Sequence, residues 1–408
     1  MSDQLLNSLH LKGFLSFGPQ SEPVALTGLN VLIGPNGVGK SNFIEAIELL
    51  HAAPTDLPAA IRLGGRPLDW IWKAGALTDT ATLSARLAPS GEFRELAYRL
   101  GFTESGNRLE IVDEALEEGE KPDSNQAGVC FYYRFQHGNP VINLWGVVAD
   151  TTSEGKYVRK YTERSLPRES INPEQSILKQ KRESLVYPVL FDIARRFEAI
   201  QIFREWSFGR SATLRQPQPA DLPTESLLPR LENLGLVLNS LEHTPQWTRF
   251  EEMMSRFLPR FKRVSTKVVA GGAVQIYLHE AGMQSPVPAT RLSDGTLRFM
   301  SLLAILLNPE SPPLICIEEP ELGLHPDAMS LLADLLVEAS ERTQLIVTTH
   351  SDGLVSALTE HVESVLVCDY LENGTTLQRL DAQRLEQWLK DYRLGDIWRS
   401  GKIGGNLW

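Results

Sequence analysis

The chain has 408 residues, enough for two or three domains with a large core, and a formal net charge of −11. Such a negative charge argues against a protein that coats nucleic acid over a broad surface, although it leaves local basic tracks open. No apolar run approaches the roughly 18 residues of a membrane span, and the start Met1-Ser2-Asp3-Gln4 lacks the basic region that begins a signal peptide.

The three cysteines are consistent with a reducing compartment. Cys130, Cys316 and Cys368 all lie in predicted strands, and their spacing is not that of metal ligands. We therefore predict buried free thiols. Together with the lack of a signal or span in the sequence, this pattern predicts a cytoplasmic protein that does not enter a membrane.

The first functional motif is a glycine-rich turn between a buried strand and a helix. The apolar run over Leu29–Ile33 predicts the strand, and the pattern over residues 43–50 predicts the helix. The glycines allow successive N–H groups to point at phosphate oxygens, and the helix start adds its positive dipole. In such a loop Lys40 reaches the β- and γ-phosphates, and the Ser41 hydroxyl binds Mg²⁺. The predicted nucleoside triphosphate site consists of Gly34, Pro35, Asn36, Gly37, Val38, Gly39, Lys40, Ser41 and Asn42.

The middle of the chain predicts antiparallel strands followed by short helices. Alternating apolar residues indicate strands over 81–87, 93–102, 108–112, 128–135 and 141–149. Helices are expected over 174–200 with a break near Pro188, over 232–241 and over 245–257. A hairpin through Gly271-Gly272 then leads back towards the first part. Eleven prolines between residues 101 and 260, and the lack of a sustained heptad, exclude a long coiled coil.

Three further motifs follow in the last third of the chain. Ser293, Asp294 and Gly295 precede an apolar helix, and an anion is favoured at such a helix N-terminus. A buried strand over 314–317 ends in Glu318-Glu319-Pro320-Glu321, and a second buried strand over 344–349 ends at His350. The phosphate loop and the acidic strand end must share one sheet although they lie far apart in sequence. The sequence therefore predicts a head that is split by an insertion.

Leu322-Gly323-Leu324-His325-Pro326 follows the acidic strand end. In their order these four segments resemble the signature motif, Walker B strand, D-loop and switch histidine of ABC-type ATPases. Their form resembles the RecF/SMC-like branch, and within it the prokaryotic AAA-family ATPases that lack a long coiled coil. Residues 9–17 also fit the first strand of that branch. The resemblance implies an α/β fold, an ABC-type P-loop ATPase head split by a mixed β/helical insertion. It also implies ATP and Mg²⁺ as cofactors and a homodimer that encloses the nucleotide.

The resemblance further implies a role for each motif. Ser41 and Glu318 would bind Mg²⁺, Glu319 would orient the attacking water, and His350 would contact the γ-phosphate. The signature residues Ser293, Asp294 and Gly295 would face the γ-phosphate held by a second subunit.

Three features of the sequence leave the role of a residue or the ligands of Mg²⁺ unassigned. Glu318 stands where ABC enzymes generally have an aspartate. Residues 61–87 contain no counterpart of the glutamine that links Mg²⁺ to a partner domain in those enzymes. His325 would either communicate across the dimer or cap its own helix.

We expect three segments in the chain: an ATPase lobe over 1–165, a helical insertion over 166–260 and a second ATPase lobe over 261–408. The insertion has no duty in hydrolysis, so we assign partner recognition to its residues Trp206, Phe208, Arg210 and Arg215. The alternative is that these aromatic residues simply pack the insertion onto the head. The candidates for a local basic track are Lys179, Lys181 and Arg182, then Arg195 and Arg196, then Arg204, Arg210 and Arg215, and Arg260, Lys262 and Arg263. Carboxylates are interleaved with them, which favours a solvated mixed surface over a DNA track.

Two biological roles remain open. In the first, the protein senses or scaffolds and gates an operon-encoded effector protein in anti-phage defence. In the alternative, it is a DNA-associated ATPase of DNA repair, although its charge predicts weak DNA binding. A transporter subunit is disfavoured, because the signature is not of the Ser-Gly-Gly-Gln type. Only 58 of the 408 residues follow His350, so we do not expect the chain itself to be a nuclease.

Overall fold

The computed structural model describes residues 4–74, 78–89, 91, 94–119, 131–136, 139–149 and 157–405. The described strands are β1 (Leu6–Lys12), β2 (Val24–Ala25), β3 (Leu29–Ile33), β4 (Ala81–Leu87), β5 (Leu96–Ser105), β6 (Arg108–Glu118), β7 (Phe131–Gln136), β8 (Asn139–Ala149), β9 (Tyr157–Ser165), β10 (Gln201–Phe203), β11 (Phe261–Val268), β12 (Val274–Glu280), β13 (Val287–Pro288), β14 (Leu314–Glu318), β15 (Gln344–Thr348), β16 (Val365–Leu371) and β17 (Gly374–Arg379). The described α-helices are α1 (Lys40–Ala52), α2 (Leu57–Leu63), α3 (Ile177–Gln180), α4 (Pro188–Glu198), α5 (Leu234–Leu241), α6 (Gln246–Phe257), α7 (Asp294–Leu306), α8 (Met329–Ser340), α9 (Asp352–Ala357), α10 (Ala382–Leu389) and α11 (Leu394–Arg399).

A six-stranded sheet of order β10-β14-β15-β3-β16-β17 forms the centre of the head. The first five strands are parallel, and β17 runs antiparallel to β16. Both faces of this sheet are covered, which explains why β3 and β15 are mostly apolar and buried along their whole length. In β3, Leu32 packs into one core, whereas Val31 and Ile33 pack into the other. The carboxyl ends of the parallel strands meet at one edge of the sheet.

An eight-stranded antiparallel sheet of order β2-β1-β4-β5-β6-β7-β8-β9 lies beside the head, and β11, β12 and β13 form a small third sheet. Leu9 of β1 and Leu100 of β5 share a core with Phe43 of α1 and Phe197 of α4. This core therefore joins the antiparallel sheet to one face of the central sheet. The other face is covered by the core that contains side chains of α5, α7 and α8.

The predicted α/β head with a mixed β and helical insertion is confirmed. The strand predicted over 108–112 is longer than expected, because β5 and β6 stay paired from Leu96↔Glu118 to Ser105↔Arg108. Part of the strand predicted over 128–135, including Cys130, lies outside the described residues. Cys316 and Cys368 are buried free thiols, as predicted.

The break in the helix predicted over 174–200 is much wider than expected. Helix α3 ends at Gln180, and α4 begins at Pro188, since proline has no N–H to bond the preceding turn and suits a helix start. The division into segments at 165 and 260 stays a prediction, and the middle segment also supplies β10 to the central sheet. Within the described ranges, every helix is too short or too polar to serve as a membrane span.

Candidate active site

The glycine-rich loop joins β3 to α1 in a conformation that only its glycines adopt easily. Gly37 and Gly39 have φ values of 81° and 102°. A Cβ on Gly39 would collide with the hydroxyls of Ser16 and Thr375. Thr375 Oγ1 in turn donates to Val38 O at 2.7 Å. The loop is therefore held from behind by two segments that are distant in the chain.

Lys40 is the first residue of α1, and its ammonium group lies over the loop. Its Nζ donates to Gly34 O at 2.7 Å and to Pro35 O at 2.8 Å. The side chain is buried, and this burial lowers the pKa of Lys40 in spite of the carboxylates nearby. Asn42 is held by a 2.7 Å hydrogen bond from its Nδ2 to Ser16 Oγ.

The loop lines a cavity of about 270 Å³ together with the ends of β14 and β15. The lining residues are Asn36, Gly37, Gly39, Lys40, Ser41, Asn42, Glu318, Glu319, Thr348 and His350. Segments that are about 280 residues apart in sequence are thus brought together at the carboxyl edge of the parallel sheet. The predicted residues Ser293, Asp294 and Gly295, all of them described, do not line this cavity.

Ser41 and Glu318 are neighbours in the cavity. The Ser41 hydroxyl donates to Glu318 Oε1. Hydroxyl and carboxylate oxygens are hard ligands that suit Mg²⁺, which commonly takes its remaining ligands from phosphate and water. In the part of the chain that the structure describes, no three His, Cys, Asp or Glu side chains are grouped to hold a metal by themselves. The donor set therefore fits a Mg²⁺ ion that arrives with a nucleotide.

Glu319 has a strained backbone and faces His350. Its φ of 47° lies in the left-handed region, which is costly for a residue with a side chain. Glu319 N donates to Thr348 O at 3.0 Å, and Arg298 Nη1 donates to Glu319 O at 3.0 Å. Glu319 Oε1 lies 3.3 Å from His350 Nε2. Burial, followed by the charge of Lys40, lowers the pKa of His350, which favours its neutral imidazole.

Glu321 is a site residue to which the sequence analysis gave no role. It is buried, and its Oε1 accepts hydrogen bonds from Thr349 Oγ1 at 2.6 Å and from the His350 N–H at 2.9 Å. Both contacts fix the end of β15, so Glu321 sets the position of His350. The only signal in the sequence was its place as the third carboxylate of Glu-Glu-Pro-Glu.

The segment after β10 adds a second set of contacts. Arg204 Nε lies 3.3 Å from Glu318 Oε2, and the same guanidinium pairs with Glu45 and Glu48 of α1. Trp206 Nε1 donates to Glu318 O at 2.8 Å. Arg204 is therefore not part of a surface mixture of charges, because its guanidinium is directed at the carboxylates of α1 and β14.

The assignment of partner recognition to Trp206, Phe208, Arg210 and Arg215 requires correction. Arg215 is 4% exposed and donates to the carbonyls of Phe208, Ala289 and Leu292. Phe208 is buried, and its ring stacks on that of Trp206 at a centroid distance of 5.9 Å. The alternative, in which the aromatic residues pack this segment onto the head, is the observed one. Arg210 is the exposed member of the four.

The signature residues lie on the surface at the start of α7. Ser293 Oγ accepts a hydrogen bond from the Thr296 N–H at 3.1 Å and so caps the helix. Ser293 and Asp294 are exposed, and Asp294 forms an ion pair with the buried Arg215. The turn is thus fixed by the buried Arg215 and remains accessible to solvent.

His325 caps its own 3₁₀ turn. Its Nδ1 accepts a hydrogen bond from the Asp327 N–H at 3.3 Å. This contact is the capping alternative of the two that the sequence left open. The side chain of His325 is 75% exposed. A role for it between subunits stays a prediction.

The parallel sheet, the phosphate loop after β3, and the carboxylates and histidine at the ends of β14 and β15 define an ABC-type ATPase head of the RecF/SMC-like kind. The chain belongs to the family described as "AAA domain, putative AbiEii toxin, Type IV TA system", whose profile matches residues 29–356. The class of protein predicted from the sequence is therefore confirmed. Membership of this ATPase family supports ATP hydrolysis as the general activity.

Two solved structures share the fold at low sequence identity. An SMC head bound to the C-winged helix domain of ScpA matches with a TM-score of 0.57 and 14% identity, over 93% of this chain and 99% of that one. The Pyrococcus furiosus Smc head with an extended coiled coil, bound to the C-terminal domain of ScpA, matches with a TM-score of 0.54 and 13% identity, over 95% and 99%. At such identities the likeness shows the fold alone.

Two curated relatives match part of the chain. The Old nuclease of Escherichia phage P2 is 35% identical over an alignment of 137 residues that covers 30% of this chain and 23% of the nuclease. The phosphate import ATP-binding protein PstB of Thermotoga maritima is 26% identical over an alignment of 155 residues that covers 36% of this chain and 58% of PstB. The chain therefore matches less than two thirds of the length of either relative.

Proposed function

We propose that this protein binds and hydrolyses ATP as a homodimer in which each nucleotide is sandwiched between two copies. The proposal is based mainly on one observation: the predicted site residues lie in two separate places on the chain. The cavity contains the phosphate loop, Glu318, Glu319 and His350, whereas Ser293 at the start of α7 lies outside it. A nucleotide in the cavity of one copy would be enclosed by the signature turn of the other.

The chemistry assigned to the cavity follows from its side chains. The loop N–H groups and Lys40 hold the phosphates, and Glu319 accepts a hydrogen bond from a water and orients it towards the γ-phosphorus. The water oxygen bonds to phosphorus as the bond to the bridging oxygen breaks, which gives ADP and phosphate. His350, 3.3 Å from the Glu319 carboxylate, hydrogen-bonds the γ-phosphate. Ser41 and Glu318 would hold Mg²⁺, which neutralises phosphate charge when it is bound.

The surface at the signature turn is suited to the phosphate of a second copy. Helix α7 has 13 residues, so its N-terminus carries the positive end of a helix dipole. Ser293 is exposed there. The negative charge of Asp294 would oppose an approaching phosphate, but its ion pair with Arg215 offsets that charge.

We further propose that the ATP state gates a separate, operon-encoded effector in anti-phage defence, in the cytoplasm. Support comes from the family description, which names an AbiEii toxin, and from the local similarity to the Old nuclease of a phage. The net charge of −11 disfavours tight non-specific DNA binding, which needs many Lys and Arg contacts to phosphates. Tight ATP-dependent binding to duplex DNA at about 150 mM salt would instead favour the alternative role in DNA repair.

Glu319→Gln and Ser293→Arg test the shared site in opposite directions. The Gln variant keeps size and polarity but loses the charge that orients water, so ATP should persist and the dimer should accumulate. The Arg variant places bulk between α7 and the opposing γ-phosphate and should remain monomeric with ATP. Light scattering after gel filtration with ATP and Mg²⁺ measures both states.

Glu341→Gln and Ser255→Arg are matched controls, because both residues are exposed and lie outside the cavity lining. Both controls should follow the wild type. If Glu319→Gln and Ser293→Arg show the same mass as each other with ATP, the shared site is refuted.

A further inference from the structure

Arg204 lies at the centre of three carboxylates that belong to two different elements. Strand β10 pairs with β14 in parallel, with Phe203 opposite Ile317, so the next residue, Arg204, lies beside Glu318. Its guanidinium is 3.3 Å from Glu318 Oε2, 3.0 Å from Glu48 Oε2 and 3.3 Å from Glu45 Oε1. All three of its nitrogens are thus engaged, each with a different carboxylate. The planar, delocalised fork of arginine suits such an arrangement, whereas the point charge of lysine does not.

The two oxygens of Glu318 have different partners. Oε1 accepts the hydrogen bond of the Ser41 hydroxyl, and Oε2 faces Arg204 Nε. The carboxylate cannot rotate without losing both contacts. Its backbone is also fixed, because Trp206 Nε1 donates to Glu318 O at 2.8 Å. Oε1 is therefore the oxygen on the side of Ser41, which lines the cavity.

Glu45 and Glu48 give Arg204 an anchor on the helix that starts at the phosphate loop. They follow Lys40 by five and eight residues, and so they are three residues apart on α1, one above the other on the same face. Arg204 thereby connects the loop's own helix to the end of β14. As stabilising ion pairs these partly exposed contacts are worth little individually, so stability alone does not explain the convergence of three carboxylates on one guanidinium.

We propose that Arg204 is a positioning residue that holds Glu318 with a single oxygen, Oε1, presented beside Ser41 to the divalent cation of a bound nucleotide. The assignment rests on the proposed function, since it concerns the cation that accompanies ATP. Arg204 itself touches neither nucleotide nor cation. It acts through Glu318, and its neutralisation of Glu45 and Glu48 prevents those carboxylates from repelling Glu318 out of position.

The test compares Arg204→Ala and Arg204→Lys with the wild-type chain. The first measurement is the affinity for a fluorescent ATP analogue, once in EDTA and once in Mg²⁺. Arg204→Ala should keep the EDTA affinity within about threefold and lose most of the gain that Mg²⁺ confers, because the phosphate loop is intact and the metal ligand is not. Loss of a partner behind a metal ligand typically costs 10–100-fold in metal affinity or activity.

The second measurement is steady-state ATP hydrolysis against Mg²⁺ concentration. For Arg204→Ala we expect kcat to fall about 10–100-fold and half-saturating Mg²⁺ to rise by a similar factor, and KM for ATP to rise no more than the affinity measured in Mg²⁺ falls. Arg204→Lys keeps the positive charge but lacks the planar guanidinium group. Its kcat and its half-saturating Mg²⁺ concentration should lie between those of Arg204→Ala and the wild type. Arg182→Ala is the matched control, because Arg182 also pairs with a glutamate, Glu198, outside the cavity lining. It should behave as the wild type in both measurements.

The outcomes separate this inference from the proposed function. If the wild type neither binds the analogue nor hydrolyses ATP, the proposed function fails. If the wild type is active and Arg204→Ala has wild-type Mg²⁺ dependence, the positioning role is overturned. It is also overturned if Arg204→Ala loses EDTA affinity as strongly as Mg²⁺ affinity and melts earlier, because Arg204 would then only hold the fold together.

Discussion

The buried carboxylate Glu114 makes the stability of the antiparallel sheet depend on pH. It lies on β6 and accepts hydrogen bonds from Tyr98 OH at 2.8 Å, from Ser176 Oγ at 2.5 Å and from the Ile177 N–H at 2.9 Å. Burial raises the pKa of Glu114 from 4.5 to about 7, although the hydrogen bonds oppose that rise. The folded chain therefore binds this proton more tightly than the unfolded chain does.

Since the folded pKa lies above the unfolded one, the stabilising contribution is complete below about pH 4.5 and is lost as the pH rises through about 7. A rise of this size in pKa corresponds to roughly 3 kcal/mol in free energy of unfolding, and most of this is lost between about pH 5 and pH 8. Glu114→Gln removes the titrating group and keeps the shape. Relative to the wild type, the Gln variant should gain about 2–3 kcal/mol in free energy of unfolding as the pH rises from 5 to 8.

Urea denaturation followed by circular dichroism at several pH values measures this difference. Titrations that the two proteins share cancel in their difference, so the comparison of the two proteins, not either profile alone, carries the test. Glu110→Gln on the same strand is the control, because Glu110 is only partly buried. Its pH profile should run parallel to that of the wild type. Parallel profiles for the wild type and Glu114→Gln would refute the assignment of a raised pKa to Glu114.

Two predictions concern the phosphate loop. Lys40→Ala should abolish detectable ATP binding in calorimetry, because the loop loses its one cation, and wild-type-like affinity in this variant would contradict the assignment of the loop. Gly39→Ala should weaken nucleotide binding at least tenfold, because its φ of 102° and the hydroxyls of Ser16 and Thr375 leave no room for a Cβ. Gly209→Ala is its control, since a Cβ at Gly209 meets no atom within 4 Å.

The parts of the site that could be predicted from the sequence are those whose residues follow one another in the chain. The phosphate loop lies between a fully buried, mostly apolar strand and a helix, and the pattern of Leu29–Ile33 can be recognised without knowing its neighbours. The same holds for β14 and β15, whose apolar runs end at Glu318 and His350. Parallel strands place such ends at one edge of a sheet, so their proximity follows from the fold class.

The contacts that the sequence analysis missed are between residues far apart in the chain. Strand β10 has only three residues, which is too short to show a periodicity, and so Arg204 gave no sign that it follows a strand next to β14. Arg215 was interpreted as a surface residue because arginine usually is one, yet it is buried against the carbonyls that precede α7. In both cases the arginine is held by partners that only the tertiary fold supplies.

Glu319 shows why the site depends on the complete head rather than on its motifs. A left-handed backbone at a residue with a side chain costs about 1–3 kcal/mol. The hydrogen bonds that oppose that cost include one to Thr348 O at the end of β15 and one from Arg298 of α7. Each is worth about 0.5–3 kcal/mol, the higher values applying to the charged guanidinium, so together they are of the size needed to offset the strain. The carboxylate that we propose orients the water is therefore held in place by contacts from β15 and from the helix that carries the signature turn.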